Sequence, residues 1–357
     1  MRRLILITLI CAALASCQHR DLTDYGTSST ALIPVRIDWS QTGLDPDNDP
    51  NQDVKGASVW LFPQQGSAYQ GPPKEYKLNN PRGEDIEVPV GIYSVLVFNN
   101  TVREFPSERV GFRGTDSYET FEYYAKPDTR GRFALTRSGE DNVIHEPDIL
   151  AAWHLDRFEV TVDMITRTRS GSLSRATGME TTLSNVIPQR LTRTIKTLVH
   201  VERLNVATAA EGAVAGFGSS VFLSTGRVDN VPSMFGFSLN NRRWTDSEQR
   251  NGTIESEFES FGLLSSGTAQ YTHYTLFTLR TEHEGSTTFP APPAPAFAHD
   301  VSYQITGSGA IRLNIVIGVG LDVRDPVITL PDIVIPGGGG FDVDVDDWGD
   351  DEVIEIR

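Results

Sequence analysis

Apolar and polar residues alternate in short runs along most of this chain, the period-2 spacing of strands with one buried face. The first run holds Leu32, Ile33, Val35, Ile37 and Trp39, with Arg36 and Asp38 on the opposite face. Gln41 to Asp53 reads as a loop, and Val54 to Pro63 as a strand whose Val59-Trp60-Leu61-Phe62 core is apolar on both faces. Glu84–Val88 and Ile92–Phe98 read as a hairpin around Pro89-Val90-Gly91. Its second strand is apolar on both faces apart from Ser94, which suits a central sandwich strand. Further strands are predicted at Thr120–Ala125, Phe158–Met164, Thr194–Leu204, Ser220–Ser224, Thr253–Phe258, Tyr271–Leu279 and Ile311–Val319. Within Thr194–Leu204, the residues Ile195, Thr197, Val199 and Val201 share a face. Ser170–Ser184 is rich in Ser, Thr and Gly and reads as a linker or long loop, and Phe289–Phe297 as a proline-rich extended segment. No amphipathic helix stands out. The expected class is all-β, built from β-sandwiches.

The two ends follow other patterns. Val327–Ile335 alternates like a strand but carries Pro331, which cannot donate to a ladder and places that strand at an edge. Gly337–Gly340 is a hinge, after which Phe341, Val343 and Val345 share one face and Asp342, Asp344 and Asp346 the other; Trp348, Ile354 and Ile356 follow. A lone strand of this kind is not stable in water, so it needs a sheet edge in its own domain or in another molecule. At the other end, Arg2 and Arg3 precede an apolar stretch Leu4–Leu14, too short to span a bilayer. Leu14-Ala15-Ser16-Cys17 then has the form of a bacterial lipobox. Cleavage before Cys17 exposes its amine and thiol for acylation, and several acyl chains make a stable membrane anchor.

Composition narrows the chemistry. The 357 residues carry a net charge of −16, which repels phosphate backbones and argues against nucleic acid as a partner. Removing residues 1–16 takes away two arginines and no acid, so the net charge becomes −18. Cys11 and Cys17 are the only cysteines. With the first discarded and the second a thioether, no thiol remains for catalysis or metal binding. There is no G-x-S-x-G elbow, no phosphate-binding glycine loop and no H-E-x-x-H pair, so the reading is not an enzyme and calls for no cofactor. Asp45, Asp47, Asp49, Asn51 and Asp53 put an oxygen on every second residue, a weak candidate for Ca²⁺. Pro50 stands where a calcium loop has its turn glycine, and Gly56 where it has its bidentate Glu, so a solvated acidic loop is the plainer reading. The histidines His19, His145, His154, His200, His273, His283 and His299 are scattered. Trp153, Trp244 and Tyr271–Tyr274 are candidates for stacking on sugars, with core packing as the alternative.

Several features together resemble the fimbrillin (type V pilin) superfamily of surface lipoproteins. They are the lipobox, the all-β layout, the strand Ile92–Asn100 after a Pro/Gly turn and the acidic-aromatic tail Asp342–Ile356. Glu146-Pro147-Asp148-Ile149-Leu150-Ala151 and Leu191-Thr192-Arg193-Thr194-Ile195-Lys196 are similar to segments that close the first domain and open the second in such proteins. The resemblance implies two tandem transthyretin-like β-sandwiches, with residues 1–16 a signal peptide, 17–30 a tether, 31–187 and 188–336 the sandwiches, and 337–357 the hinge and final strand. It implies a lipid-anchored outer-membrane protein, fimbrial or fimbria-associated, that supports adhesion and has other pilin subunits as partners. Assembly would proceed by strand exchange. An Arg- or Lys-specific protease removes the first strand, Leu32–Trp39, and the groove accepts the tail of the next subunit, including Phe341, Val343, Val345, Trp348, Ile354 and Ile356. The loop from Ser40 to Val54 departs from this pattern. It contains no arginine, and Lys55 is the nearest basic residue. An uncleaved anchor or accessory subunit, or a glycan- or host-protein-binding module of similar fold, fits that departure.

Overall fold

The computed structural model describes residues 30–44, 54–129, 142–169, 182–264, 270–279, 296–305, 312–321 and 323–331. The elements of the first half are β1 (Thr30–Pro34), β2 (Ala57–Pro63), β3 (Lys74–Leu78), β4 (Asp85–Pro89), β5 (Gly91–Asn99), β6 (Val110–Arg113), β7 (Glu122–Ala125), β8 (Asn142–Ile144), β9 (Ala151–Val160) and helix α1 (Val162–Arg169). The second half has β10 (Gln189–Arg190), β11 (Arg193–Glu202), β12 (Ala207–Gly218), β13 (Ser220–Phe222), β14 (Pro232–Ser238), β15 (Asn241–Trp244), β16 (Gly252–Ser260), β17 (Thr272–Leu279), β18 (Ala296–Asp300), the single-turn α2 (Ser302–Ile305), β19 (Arg312–Ile317) and β20 (Ile328–Thr329).

The chain is all-β, as its pattern predicts. Its first half is organised on a five-stranded sheet ordered β10-β9-β5-β2-β3. Both faces of this sheet are covered, which is why β5 and β2 read as apolar throughout. Val59, Leu61, Val95 and Val97 point into one core, shared with the β1–β4 ribbon. Trp60, Phe62, Leu96 and Phe98 point into the other, beneath the sheet β13-β7-β6. There Phe62, Phe98, Phe112, Phe121 and Tyr123 form a chain of mostly edge-to-face or tilted rings with centroids 4.9–6.0 Å apart.

The second half packs the sheet β15-β16-β11-β19 against β18-β17-β12-β14-β8. Ile195, Val199 and Val201 of β11 share their inward face with Thr197, as predicted, and meet Val214, Phe217, Phe235 and Phe277. The halves exchange strands: β10 pairs with β9, β13 with β7 and β14 with β8.

Two segments differ from the sequence pattern. The strand predicted over Phe158–Met164 ends at Val160, and Val162 begins helix α1, whose Asp163 suits the first turn and whose Ile165 is buried. The Ser/Thr-rich segment ends not as loop but in a 3₁₀ turn at Thr182–Ser184, which buries Leu183 and leads into a bridge at Val186.

A nearly buried ion pair ties the halves together. Arg190 Nη2 on β10 donates to Glu259 Oε1 on β16 at 2.7 Å and to Thr194 Oγ1 at 2.7 Å, while the Thr194 hydroxyl donates to the same carboxylate oxygen at 2.6 Å. Glu259 Oε2 is buried with no hydrogen-bond partner among the described residues, and Arg190 is the cation paired with this carboxylate there. Arg190→Met is expected to destabilise the protein by about 3–5 kcal/mol in urea unfolding, because it strands a charge away from water. The double variant Arg190→Met/Glu259→Met is expected to lose less than Arg190→Met alone. Equal or greater loss in the double variant would show that packing, not charge, dominates the site.

Candidate functional site

The first segment, residues 30–39, threads between two backbones. β1 pairs antiparallel with β4, from Thr30 opposite Pro89 to Pro34 opposite Asp85. Beyond Pro34 the ladder continues on that side: the N–H groups of Val35 and Ile37 donate to Glu84 O and Arg82 O, each at 3.0 Å. On the other side Arg36 N–H donates to Leu183 O, Asp38 N–H to Val186 O and Val186 N–H to Arg36 O, all at 2.9 Å. Ala31, Ile33, Val35, Ile37 and Trp39 are buried on one face, and Trp39 Nε1 donates to Pro81 O at 2.7 Å. Leu32, which the sequence reading grouped with this run, falls on the opposite face and is half-buried. The fit leaves no room for a side chain at Gly83. Its φ is +107°, and a Cβ there would stand 2.2 Å from Val35 O. This is a strand-shaped groove, paired along its β4 edge and, at Arg36 and Asp38, on its other edge, and filled by the chain's own N-terminal segment.

Arg36, the arginine inside the segment, has both its N–H and its carbonyl in the ladder, and its guanidinium pairs with Asp85 at 2.8 Å. A protease must pull a peptide bond into an extended, free conformation, so Arg36 is shielded by the fold. Lys55 is exposed, and its N–H donates to Asn100 Oδ1 at 2.8 Å.

The two segments that carry the resemblance meet at the junction of the halves. Leu150 N–H donates to Thr192 Oγ1 at 3.1 Å, and Leu150 O accepts from the N–H groups of Leu191 and Thr192 at 2.8 and 3.3 Å. Buried Asn99 extends the ladder with its side chain: Nδ2 donates to Ile149 O at 2.9 Å and Oδ1 accepts from Ala151 N–H at 2.8 Å. Asp148 accepts from Arg109 Nη2 at 2.8 Å, and Glu146 lies 3.8 Å from Nη1. Burial raises both carboxyls above their ordinary range, against the pull of Arg109. On the neighbouring sheet, burial would also raise Glu122, but hydrogen bonds from Arg113 and Ser220 hold it below.

Other candidates separate. His145 lies 3.8 Å from Asp128, His154 is exposed and His200 is half-buried on another sheet. Among the described residues no group of three or more His, Cys, Asp or Glu is placed to hold a metal ion. Tyr271 is buried and Trp153 packs against the first core, whereas Trp244 stands exposed beneath the Arg242 guanidinium. Cys17, the calcium candidates Asp45, Asp47, Asp49, Asn51 and Asp53, and the tail residues Phe341, Val343, Val345, Trp348, Ile354 and Ile356 lie outside the described residues.

Sequence reading missed one buried pair. His273 and His299 face each other on β17 and β18 and point into the second sandwich. Nδ1 of His273 lies 3.3 Å from Thr275 Oγ1, while His273 Nε2 and both His299 ring nitrogens have no hydrogen-bond partner among the described residues. Asp325 Oδ1 stands 3.5 Å from His299 Nδ1. The signal was present in the alternation of β17, where His273 holds the parity of Phe277.

Comparison with known proteins places the chain. Residues 16–237 match the family model described as "Domain of unknown function (DUF5119)". The chain belongs to this family. The match spans β1 to β14 and so contains the whole groove. A protein of Bacteroides ovatus named as a candidate fimbrium anchoring subunit, Fim4B, is 30% identical over 148 residues, which cover 41% of this chain and 38% of that one. A crystal structure of a candidate adhesin from Bacteroides ovatus superimposes with a TM-score of 0.56 at 17% identity, over 90% of this chain and 98% of that one. The fimbrial anchor protein Mfa2 of Porphyromonas gingivalis gives a TM-score of 0.41 at 9% identity, over 80% and 90%. The first two findings agree with the fimbrillin-like resemblance that the sequence carries.

Proposed function

We propose that this family member is a fimbrial subunit or fimbria-associated surface protein that joins its partners by β-strand donation and supports adhesion. The observation that carries the reading is the groove around residues 30–39, laddered along the β4 side, bonded on the other side at Arg36 and Asp38, and lined by one apolar face. Such a groove binds any strand with the same alternation, through backbone hydrogen bonds for affinity and side-chain pockets for register. The tail offers that alternation at Phe341, Val343 and Val345. The sequence likeness to a protein named for fimbrium anchoring supports the setting. A head-to-tail contact of this type does not close on itself and yields a filament.

The anchor proposed at Cys17 would hold the protein on the outer membrane as a lipoprotein, a reading that rests on the lipobox Leu14-Ala15-Ser16-Cys17. The absence of arginine between residues 40 and 54, and the bonding of the Arg36 N–H and carbonyl to Leu183 and Val186, favour a subunit that keeps its first strand. Such a subunit has its own groove filled and offers only its tail, which suits an anchoring or terminal position.

The test uses residues 18–357, with and without 337–357, given a low dose of trypsin and run unboiled on a gel. A stalk subunit yields a ladder from the longer protein only, with the first strand lost. An anchoring subunit stays monomeric, keeps residues 30–39 and captures a groove-emptied partner subunit through its tail. Failure to capture in either mode would remove the strand-donation reading.

A further inference from the structure

Four of the seven large apolar side chains exposed among the described residues, Val319, Leu321, Val323 and Val327, fall in one nine-residue stretch. Leu321 and Val323 are 89% and 98% exposed. The stretch is not a frayed end. Ile317 pairs with Val199 and Ile328 with Val201, both parallel to β11 on the same edge, so the loop leaves and returns within about 7 Å along that strand. Its base is closed by buried Asp325, whose carboxylate accepts from Gly318 N–H at 2.5 Å and Val319 N–H at 3.1 Å and whose carbonyl accepts from Gly320 N–H at 3.1 Å. A short excursion with its ends together and its base hydrogen-bonded is a compact loop. This one presents an apolar tip to solvent.

Position and chemistry favour one occupant. The chain leaves the sheet from the same edge as the loop. Leu330 N–H donates to Glu202 O at 3.1 Å, and Arg203 Nη1 donates to Leu330 O at 3.2 Å. Residues 332–357 then remain, and the ten-residue span from Pro331 to Phe341 reaches at most about 33 Å when extended, ample to return to a loop rooted beside it. The tail has an apolar face at Phe341, Val343 and Val345 and an acidic face at Asp342, Asp344 and Asp346. Arg324 stands at the loop, its guanidinium over the Tyr303 ring and beside Asp300, so the match with the tail rests on the apolar face.

We propose that residues 341–345 dock in cis on the 319–327 loop, with Phe341, Val343 and Val345 covering Leu321 and Val323. The loop is then a resting place that keeps the free strand from aggregating until a groove captures it. The docking stands on the loop itself, whereas its role as a resting place rests on the strand-donation reading.

Hydrogen exchange on residues 18–357, compared with the variant Leu321→Asp/Val323→Asp, tests it. Both substituted side chains are exposed, so the fold is expected to tolerate them. Amides of residues 341–345 are expected to exchange at least ~10-fold more slowly in the parent than in the variant. Deletion of 337–357 is expected to raise binding of an apolar dye, and the loop substitutions to abolish that gain. Exchange at random-coil rates in the parent overturns the proposal. So does a concentration-dependent dimer that the loop substitutions dissolve and the tail deletion leaves intact, since the occupant would then be a second copy. Capture of a 337–357 peptide by a groove-emptied subunit is measured separately. Capture without slowed exchange defeats the docking alone, and slowed exchange without capture defeats the donation reading alone.

Discussion

Deleting residues 18–40 is expected to unfold the first sandwich rather than merely bare a surface. Ile33, Val35, Ile37 and Trp39 each lose burial worth about 1.5–3 kcal/mol, roughly 6–12 kcal/mol together. That equals the whole stability of an ordinary domain, about 5–15 kcal/mol. The loss falls on both sides of the groove, because Arg82, Glu84, Leu183 and Val186 lose their ladder partners at once. The expected result is a protein with a diminished cooperative melt and strong dye binding, restored by a peptide of residues 30–40 supplied in trans. Val35→Asp is the single-residue version: it places a carboxylate where exposure is 0%, and the same peptide is expected to rescue it only when the mutated segment is removed. A truncated protein that melts within a few degrees of the parent would show that the segment is an accessory to the fold, and the groove would lose its functional meaning.

Acid is expected to weaken the second sandwich through His273. Desolvation, together with the neighbouring His299, lowers its pKa from 6.5 to about 3. Above pH 6.5 the ring is neutral both folded and unfolded and contributes nothing to the pH dependence. Below it the unfolded chain binds a proton that the folded chain refuses, so stability falls by up to about 1.4 kcal/mol per pH unit, about 2 kcal/mol by pH 5 and about 4 kcal/mol by pH 3. His299 is also lowered, by desolvation against the pull of Asp325, and acts in the same direction. Glu122, held low, adds to the acid loss, whereas Glu146 and Asp148, held high, act against it. The informative quantity is therefore the difference from His273→Leu, measured as urea midpoints from pH 7.5 to 4. The parent is expected to lose stability faster than the variant across that range. Parallel curves would mean that the ring takes up its proton within the fold as readily as in the unfolded chain.

The class of the fold was readable wherever side-chain parity alone decides burial. Ile92–Phe98 and Val59–Phe62 are apolar on both faces because they lie at the heart of a sheet covered on both sides, and no other strand environment tolerates that composition in water. Residues 31–39 announced a single buried face. Strand β12 was not readable: Ala207–Gly218 consists largely of alanine and glycine, which carry little strand preference. It is nevertheless the middle strand of its sheet, where small residues admit the crowded rings of Phe237 and Tyr271 above Gly212 and Gly216. Strands β8 and β10 were invisible for a different reason. They are two or three residues long and exist only because a distant strand offers its edge.

By itself, then, the sequence determined the periodic part of this protein: an all-β chain and a first strand with one buried face. These follow from local spacing, which needs no partner to be seen. Tertiary structure alone decided which backbones flank residues 30–39, that the Arg36 backbone is bonded to Leu183 and Val186, that His273 and His299 stand opposite each other and that Leu321 and Val323 are left in solvent. Each depends on residues far apart in sequence, from Arg36 against Leu183 to Val199 against Ile317. Chain entropy leaves such pairings open until the sheets close on one another.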